Sequence, residues 1–372
     1  METLNAAELL AALGHESRLS IFRLLIEAGP DGVTASAIGE EVGMALGLRR
    51  AGWTGALAAW LGFTLPSAVA LILFAFGIAN WSGLAQSGVV YGLKVMSVAV
   101  VAQAVWGMAK SLCPDRLRGA IAIGAGLLVL TVPSTVGQIF AILFGGILGW
   151  YLVPPLPSLA VQQESVGGGR KVGAIFLVFF GLCLFGLPMV AASSDDWVIS
   201  AVSGVFQAGA LVFGGGHVVL PLLQASVVPQ GWISNDIFLA GYGAAQAVPG
   251  PLFTFAAFLG AAMPLPLGGW FGGMVLLLAI FLPAFLLVAG VLPYWESLRQ
   301  RAWMQRTMGG INAAVVGVLG AAFYDPVWTS AIHSNLDLGL AVAAYALLVF
   351  GRVPPVLVVV MAGIAGSLLA PG

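Results

Sequence analysis

Two short stretches of this chain carry residues that could hold a ligand: Phe213-Gly-Gly-Gly-His217 and Pro249-Gly-Pro251. Glycine tolerates positive φ and the close approach of a ligand, so Gly214, Gly215 and Gly216 can leave backbone N–H groups free. Pro249 and Pro251 remove donors and clash with the preceding turn, so a helix must break around Gly250. A broken helix presents an N-terminus, whose N–H groups and dipole favour anions. His217 can hydrogen-bond an oxyanion or take up a proton near neutral pH. Gln246, one turn before Pro249, offers an amide. The chemistry expected here is the binding of a small anion; close helix packing through small residues is the competing account.

The elements that must position these residues are set by composition. Of 372 residues, 60% are hydrophobic and only 8% charged, and the mean hydropathy is +1.03. Soluble domains carry roughly 25% charged residues, so the solvent for most of this chain is lipid. The expected fold is an all-α polytopic membrane protein in the inner membrane. Net charge is −1; orientation depends instead on where Lys and Arg sit. Cys113 and Cys183 have no metal or disulfide spacing and read as small apolar residues. Residues 1–43 hold no apolar run long enough to direct export.

Apolar runs of spanning length fall at 52–79, 88–109, 118–133 and 135–153. After a Pro/Gly/polar linker at 154–171 they resume at 172–192, 198–228, 236–262, 267–292, 307–324, 336–350 and 354–370. The runs 198–228 and 236–262 are interrupted by Gly and Pro, so each is expected to be a broken pair of short helices. The chain divides into a small helical head at 1–43, a first membrane repeat at 44–153, the linker, and a second repeat at 172–372.

The repeat is read from matched residues. Gly52-Trp53, Gly55 and Leu65-Pro66 recur as Gly269-Trp270, Gly272 and Leu282-Pro283; Gly92 pairs with Gly310, and Val132-Pro133 with Val353-Pro354. Arg49, Arg50, Lys110, Arg116 and Arg118 flank the first-half spans, while the equivalent loops 263–268 and 325–337 have no Lys or Arg. Arg299, Arg301 and Arg306 sit in the second half's middle loop, whose counterpart 80–90 is uncharged. Equivalent loops therefore face opposite sides. That is an inverted-topology repeat, typical of secondary transporters with a site near the midplane. The first-half counterpart of Pro249-Gly-Pro251 falls on Asp31-Gly-Val33, so the first repeat is expected to lack its opening helices and its copy of the signature.

Lys94 lies inside the run 88–109, where a charge is expensive and functional by default; it is expected to offset an anionic substrate, with snorkelling to the interface as the alternative. Its repeat-mate is Asn312. Gln103, Gln138 and Gln207 read as inter-helix hydrogen bonds. Trp53, Trp60, Trp106, Trp150, Trp197, Trp270 and Trp328 read as an interface belt; His333, Asp325 and Asp337 read as solvated loop residues. No nucleophile–base pair, metal-ligand cluster or phosphate-binding G-x-x-x-x-G-K-[ST] is present, so no enzyme activity and no cofactor are expected.

Phe213-Gly-Gly-Gly-His-Val-Val-Leu-Pro-Leu-Leu223 and Gly243-Ala-Ala-Gln-Ala-Val-Pro-Gly-Pro-Leu-Phe-Thr-Phe-Ala-Ala257 resemble the two signatures of the chromate ion transporter family. Met44-Ala-Leu-Gly-Leu-Arg-Arg-Ala-Gly-Trp53 resembles the segment that follows its first-half copy. The resemblance implies export of chromate, with sulfate as a related anion, driven by the proton motive force. The candidate substrate site is Phe213, Gly214, Gly215, Gly216, His217, Gln246, Pro249, Gly250 and Pro251, with Lys94 and Asn312. Partners would be the oxyanion and the bilayer, and a homodimer is left open. Ala12-Leu-Gly-His-Glu-Ser-Arg-Leu19 and Ile21-Phe-Arg-Leu-Leu25 resemble the start of an arsenical-resistance-type winged-helix repressor. Its recognition helix is missing, so no nucleic acid binding is expected. A membrane-tethered regulator using that head is the rival reading, and a channel or lipid-linked substrate carrier with the same bundle is a third.

Overall fold

The computed structural model describes residues 35–80, 88–154, 169–212, 216–294, 298 and 301–369, and among these no strand occurs. The head resemblance at 12–25 lies outside the described residues. The helices are α1 (Ala35–Asn80), α2 (Gly88–Leu112), α3 (Arg116–Thr131), α4 (Thr135–Leu152), α5 (Arg170–Ser193), α6 (Trp197–Ala210), α7 (Val219–Val227), α8 (Asn235–Ala245), α9 (Phe255–Ala262), α10 (Gly269–Val291), α11 (Ala302–Ala322), α12 (Asn335–Val349) and α13 (Pro355–Leu369). α1 runs unbroken across the boundary at 43/44 expected between head and bundle. Among the described residues, five stretches are long and apolar enough to cross a membrane: Gly52–Ile78, Gly88–Leu112, Arg170–Ser193, Gly269–Tyr294 and Ala302–Ala331. The protein is an all-α, multi-pass membrane protein.

Short polar residues start many of the helices. The side chains of Asp115, Ser134, Asp196, Ser234 and Ser334 each accept from a backbone N–H in the first turn, satisfying donors that would otherwise be orphaned.

The interrupted runs form two re-entrant hairpins. Trp197, at the start of α6, meets Trp232, beyond the end of α7, with ring centroids 5.5 Å apart. Deeper in, Ser226 Oγ donates to the Gly204 carbonyl at 3.4 Å. The chain therefore goes in along α6 and returns along α7. In the second hairpin Phe238 packs edge-on against Phe255, centroids 5.0 Å apart, and Gly241 lies against the Phe258 ring. It turns at Pro249-Gly-Pro251. Irregular backbone at this depth persists because protein surrounds it.

The basic residues identify the ends. Arg118 and Val153 both pack at Gly309 of α11, and the Tyr294 hydroxyl donates to the Arg170 carbonyl at 2.6 Å. This gathers the start of α3, the end of α4, the start of α5, the end of α10 and the start of α11 at one end, with Arg116, Arg118, Arg170, Lys171, Arg301 and Arg306. The Lys/Arg bias makes that end cytoplasmic. Both hairpins enter from the other side.

The two halves pack by exchange. α2 crosses α13, and the repeat-mate of α2, α11, crosses the repeat-mate of α13, α4. Each crossing is closed by glycine. A Cβ added to Gly366 would lie 2.6 Å from Gly92 Cα, and one added to its mate Gly145 would lie 2.7 Å from the Gly310 carbonyl oxygen. Such swapped pairing is what a twofold relation between halves produces. Gly92→Ala and Gly310→Ala should each destabilise the folded bundle by about 1–3 kcal/mol, since backbone rather than a mobile side chain stands in the way. A fluorescence-detected melt in detergent reads this; unchanged midpoints for both would remove the crossings as the source of close packing.

Two polar expectations are corrected. Trp60 is no belt residue: it is 7% exposed, with its ring edge-on to Phe281 and Phe285 at 5.2 and 5.3 Å. Asp337 is no solvated loop residue: it is 3% exposed. It accepts from Tyr91 across the halves and from the backbone N–H groups of His333 and Ser334 at 2.7 and 2.8 Å. A capping box at the start of α12 and a tyrosine 246 residues away in sequence together replace its water. Asp325 and His333 are exposed as expected, and Gln138 donates to the Pro221 carbonyl at 3.3 Å between helices.

Candidate anion site at the hairpin tips

The returning arm of each hairpin begins at its tip. In the first, a short 3-10 turn, Gly216–Val218, leads directly into α7. In the second, the turn Leu252–Thr254 leads into α9. Both returning arms therefore point their N-termini into the interior. The two tips touch: a Cβ added to Gly216 would lie 3.4 Å from Leu252 Cβ. Two positive dipole ends converge there, each with N–H groups that lack helical acceptors.

The second tip is clamped from the first half. Ser67 Oγ donates to the Pro249 carbonyl at 2.7 Å. Gly250 is needed beneath it, because a Cβ there would lie 2.7 Å from Ser67 Cβ. Thr254 Oγ1 donates to the Pro251 carbonyl at 2.7 Å, which fixes the start of α9. Ser67 follows Pro66, near the middle of the 27-residue span Gly52–Ile78, so the tip sits at the depth of the bilayer centre.

His217 faces Tyr242 of the other hairpin, with Nδ1 2.7 Å from the tyrosine hydroxyl. Tyr242 is fully buried. With the hydroxyl as donor to Nδ1, the ring is the neutral tautomer with its proton on Nε2, and that N–H can serve an oxyanion. The Gln246 Nε2 group is buried with no hydrogen-bond partner among the described residues. Phe213, Gly214 and Gly215 lie outside the described residues.

Lys94 is placed elsewhere. Its ammonium is 2.6 Å from Asp236 Oδ1, at the start of α8. Ten helical residues, about 15 Å, separate that end from Gln246. The charge meant for a substrate is thus balanced by an aspartate near the outer face. Asn312 is half-buried in the middle of α11, a helix that packs along the Gly216–Val218 turn.

The chromate transporter family matches residues 33–150 and 199–367. The chain belongs to this family. The second stretch covers both hairpins from Ile199 onward, and the first stretch begins inside the segment read as a repressor head. Nothing in the comparisons supports the repressor resemblance; a short amphipathic helical pattern with an Arg-Leu pair is too common to carry it.

Three relatives are named for the same ion. A chromate transport protein of Pseudomonas aeruginosa is 25% identical over 347 residues, covering 89% of this chain and 79% of that protein. One from Cupriavidus metallidurans is 24% identical over 326 residues, 85% and 76% of the two chains. A probable chromate transport protein of Synechococcus elongatus is 23% identical over 341 residues, 90% and 82%. No solved structure matches the chain.

Ser67 and Tyr242 were not read from the sequence as site residues. Tyr242 lies one turn before Gln246 on the same helix face, and Ser67 adjoins the repeated proline. Those two spacings were the signals available.

Proposed function

We propose that this protein is a secondary transporter that exports chromate from the cytoplasm, with sulfate as a related substrate, by binding the oxyanion where the hairpin tips meet. The observation that carries the reading is the convergence of the N-termini of the two returning arms at Gly216 and Leu252. Chromate is a tetrahedral dianion, suited to free amides and helix N-termini. His217, Gln246 and the backbone around Pro249, Gly250 and Pro251 would hold it, with Asn312 alongside. The outgoing arms α6 and α8 bring C-terminal carbonyls to the same depth, where a coupling cation or proton would find partners. Lys94, already paired, serves the outer mouth in this scheme rather than the bound ion.

The counterpart of the second tip in the first repeat is Asp31-Gly-Val33, so one signature pair does the work of two. A transport rate below that of the Pseudomonas aeruginosa relative is expected. Everted vesicles energised by respiration should take up labelled chromate, and a protonophore should stop it. Absence of uptake, or uptake indifferent to the protonophore, would refute the export mechanism; a rate equal to the relative's would refute the impairment.

A further inference from the structure

We propose that Thr64 and Trp60, both on α1, donate hydrogen bonds to the oxyanion bound at the second hairpin's tip, so that the first repeat completes a site whose backbone comes from the second. This rests on the transport reading above and names residues it did not use. Thr64 is 0% exposed and Trp60 7% exposed. The Thr64 hydroxyl and the Trp60 indole N–H are buried with no hydrogen-bond partner among the described residues. An unsatisfied buried donor is costly, and native proteins keep few of them. Two on one helix face, with the Gln246 amide as a third, call for a shared acceptor.

Their position points to the tip. Trp60, Thr64 and Ser67 follow at i, i+4 and i+7, one face of α1, and Ser67 already holds the Pro249 carbonyl. A Cβ on Gly250 would lie 3.5 Å from the Phe63 carbonyl oxygen. The Trp60 ring packs on Phe281, and Phe281 packs on Phe253 at the start of α9, centroids 5.5 Å apart. Leu252 and Phe253 open that arm, so their N–H groups are among those without a helical acceptor.

The chemistry of the set selects the ligand. An indole N–H only donates, and a hydroxyl and an amide can donate; no carboxylate belongs to the group. Such a set suits a tetrahedral oxyanion, whose oxygens all accept, better than a cation, to which the indole N–H offers no lone pair. The face is also not repeated. The mates of Trp60 and Thr64 on α10 are Leu277 and Phe281, so α10 offers no second copy.

Thr64→Val and Trp60→Phe remove the donors while keeping shape. Each should raise the KM for chromate in everted vesicles about tenfold, the equivalent of about 1.4 kcal/mol for one hydrogen bond to a charged group. Each should also shrink the thermal stabilisation of the detergent-purified protein by chromate. Thr64→Ser, which keeps the hydroxyl, should behave as wild type. Wild-type KM and stabilisation in both Thr64→Val and Trp60→Phe would overturn the proposal. If wild type moves no chromate yet is stabilised by sulfate or molybdate, the chromate reading fails and the same variants, melted with that anion, decide this one. If no oxyanion stabilises wild type, both fall.

Discussion

In a Gly250→Ala variant, chromate transport is expected to fall at least tenfold while the protein still reaches the membrane. The added Cβ would sit 2.7 Å from Ser67 Cβ and closer still to its hydroxyl. Neither side can yield cheaply: Ser67 is nearly fully buried on a spanning helix and its hydroxyl holds the Pro249 carbonyl at 2.7 Å. Overpacking of this kind costs about 1–3 kcal/mol, and here the strain falls on the loop that aims the N-terminus of α9. Adding Ser67→Gly makes room and should restore part of the rate, so the pair is non-additive in a double-mutant cycle. Wild-type transport by Gly250→Ala would show that the clamp does not set the tip.

His217→Ala should abolish measurable chromate resistance, and Tyr242→Phe should raise the KM about tenfold. The histidine and tyrosine come from different hairpins and meet at 2.7 Å. Removing the hydroxyl leaves Tyr242 packing intact, including its edge-on contact with Phe255, but frees the ring tautomer. One hydrogen bond to a group that contacts a dianion accounts for about a factor of ten. Initial rates in everted vesicles separate KM from kcat. If both variants match wild type, His217 is a packed core residue and the ion binds elsewhere.

Much of this was legible in the sequence. The helices follow the apolar runs because lipid leaves a spanning segment few alternatives, and the breaks follow Gly and Pro because those residues act on the backbone alone. Whether an interrupted run crosses or returns was not legible. A pair of short apolar helices reads the same either way, and contacts between the arms, such as Trp197 with Trp232 and Phe238 with Phe255, decide it. The charges misled for a related reason. Lys94 looked unpaired because Asp236 is 142 residues away in sequence, and Asp337 looked solvated because Tyr91 lies in the other half. Trp60 read as a belt residue because helix depth, not residue type, determines whether indole meets the interface or the core.

The re-entrant arms carry a consequence for how the chain is made. α6 to α9 are each 14 residues or fewer, short of the roughly 20 that a membrane-spanning insertion step recognises. Their polar connections nonetheless end on the outer face. Neither hairpin can settle in lipid alone, since its turn exposes bare backbone. The second hairpin packs on helices made before it, α1 and α2, whereas α6 of the first packs on α5 and on α10. α1 and α2 leave the ribosome first and offer Ser67 and the α2 surface before the second tip exists, while α10 arrives afterwards and closes the other side. For the second hairpin, the order of synthesis therefore presents its wall before its tip.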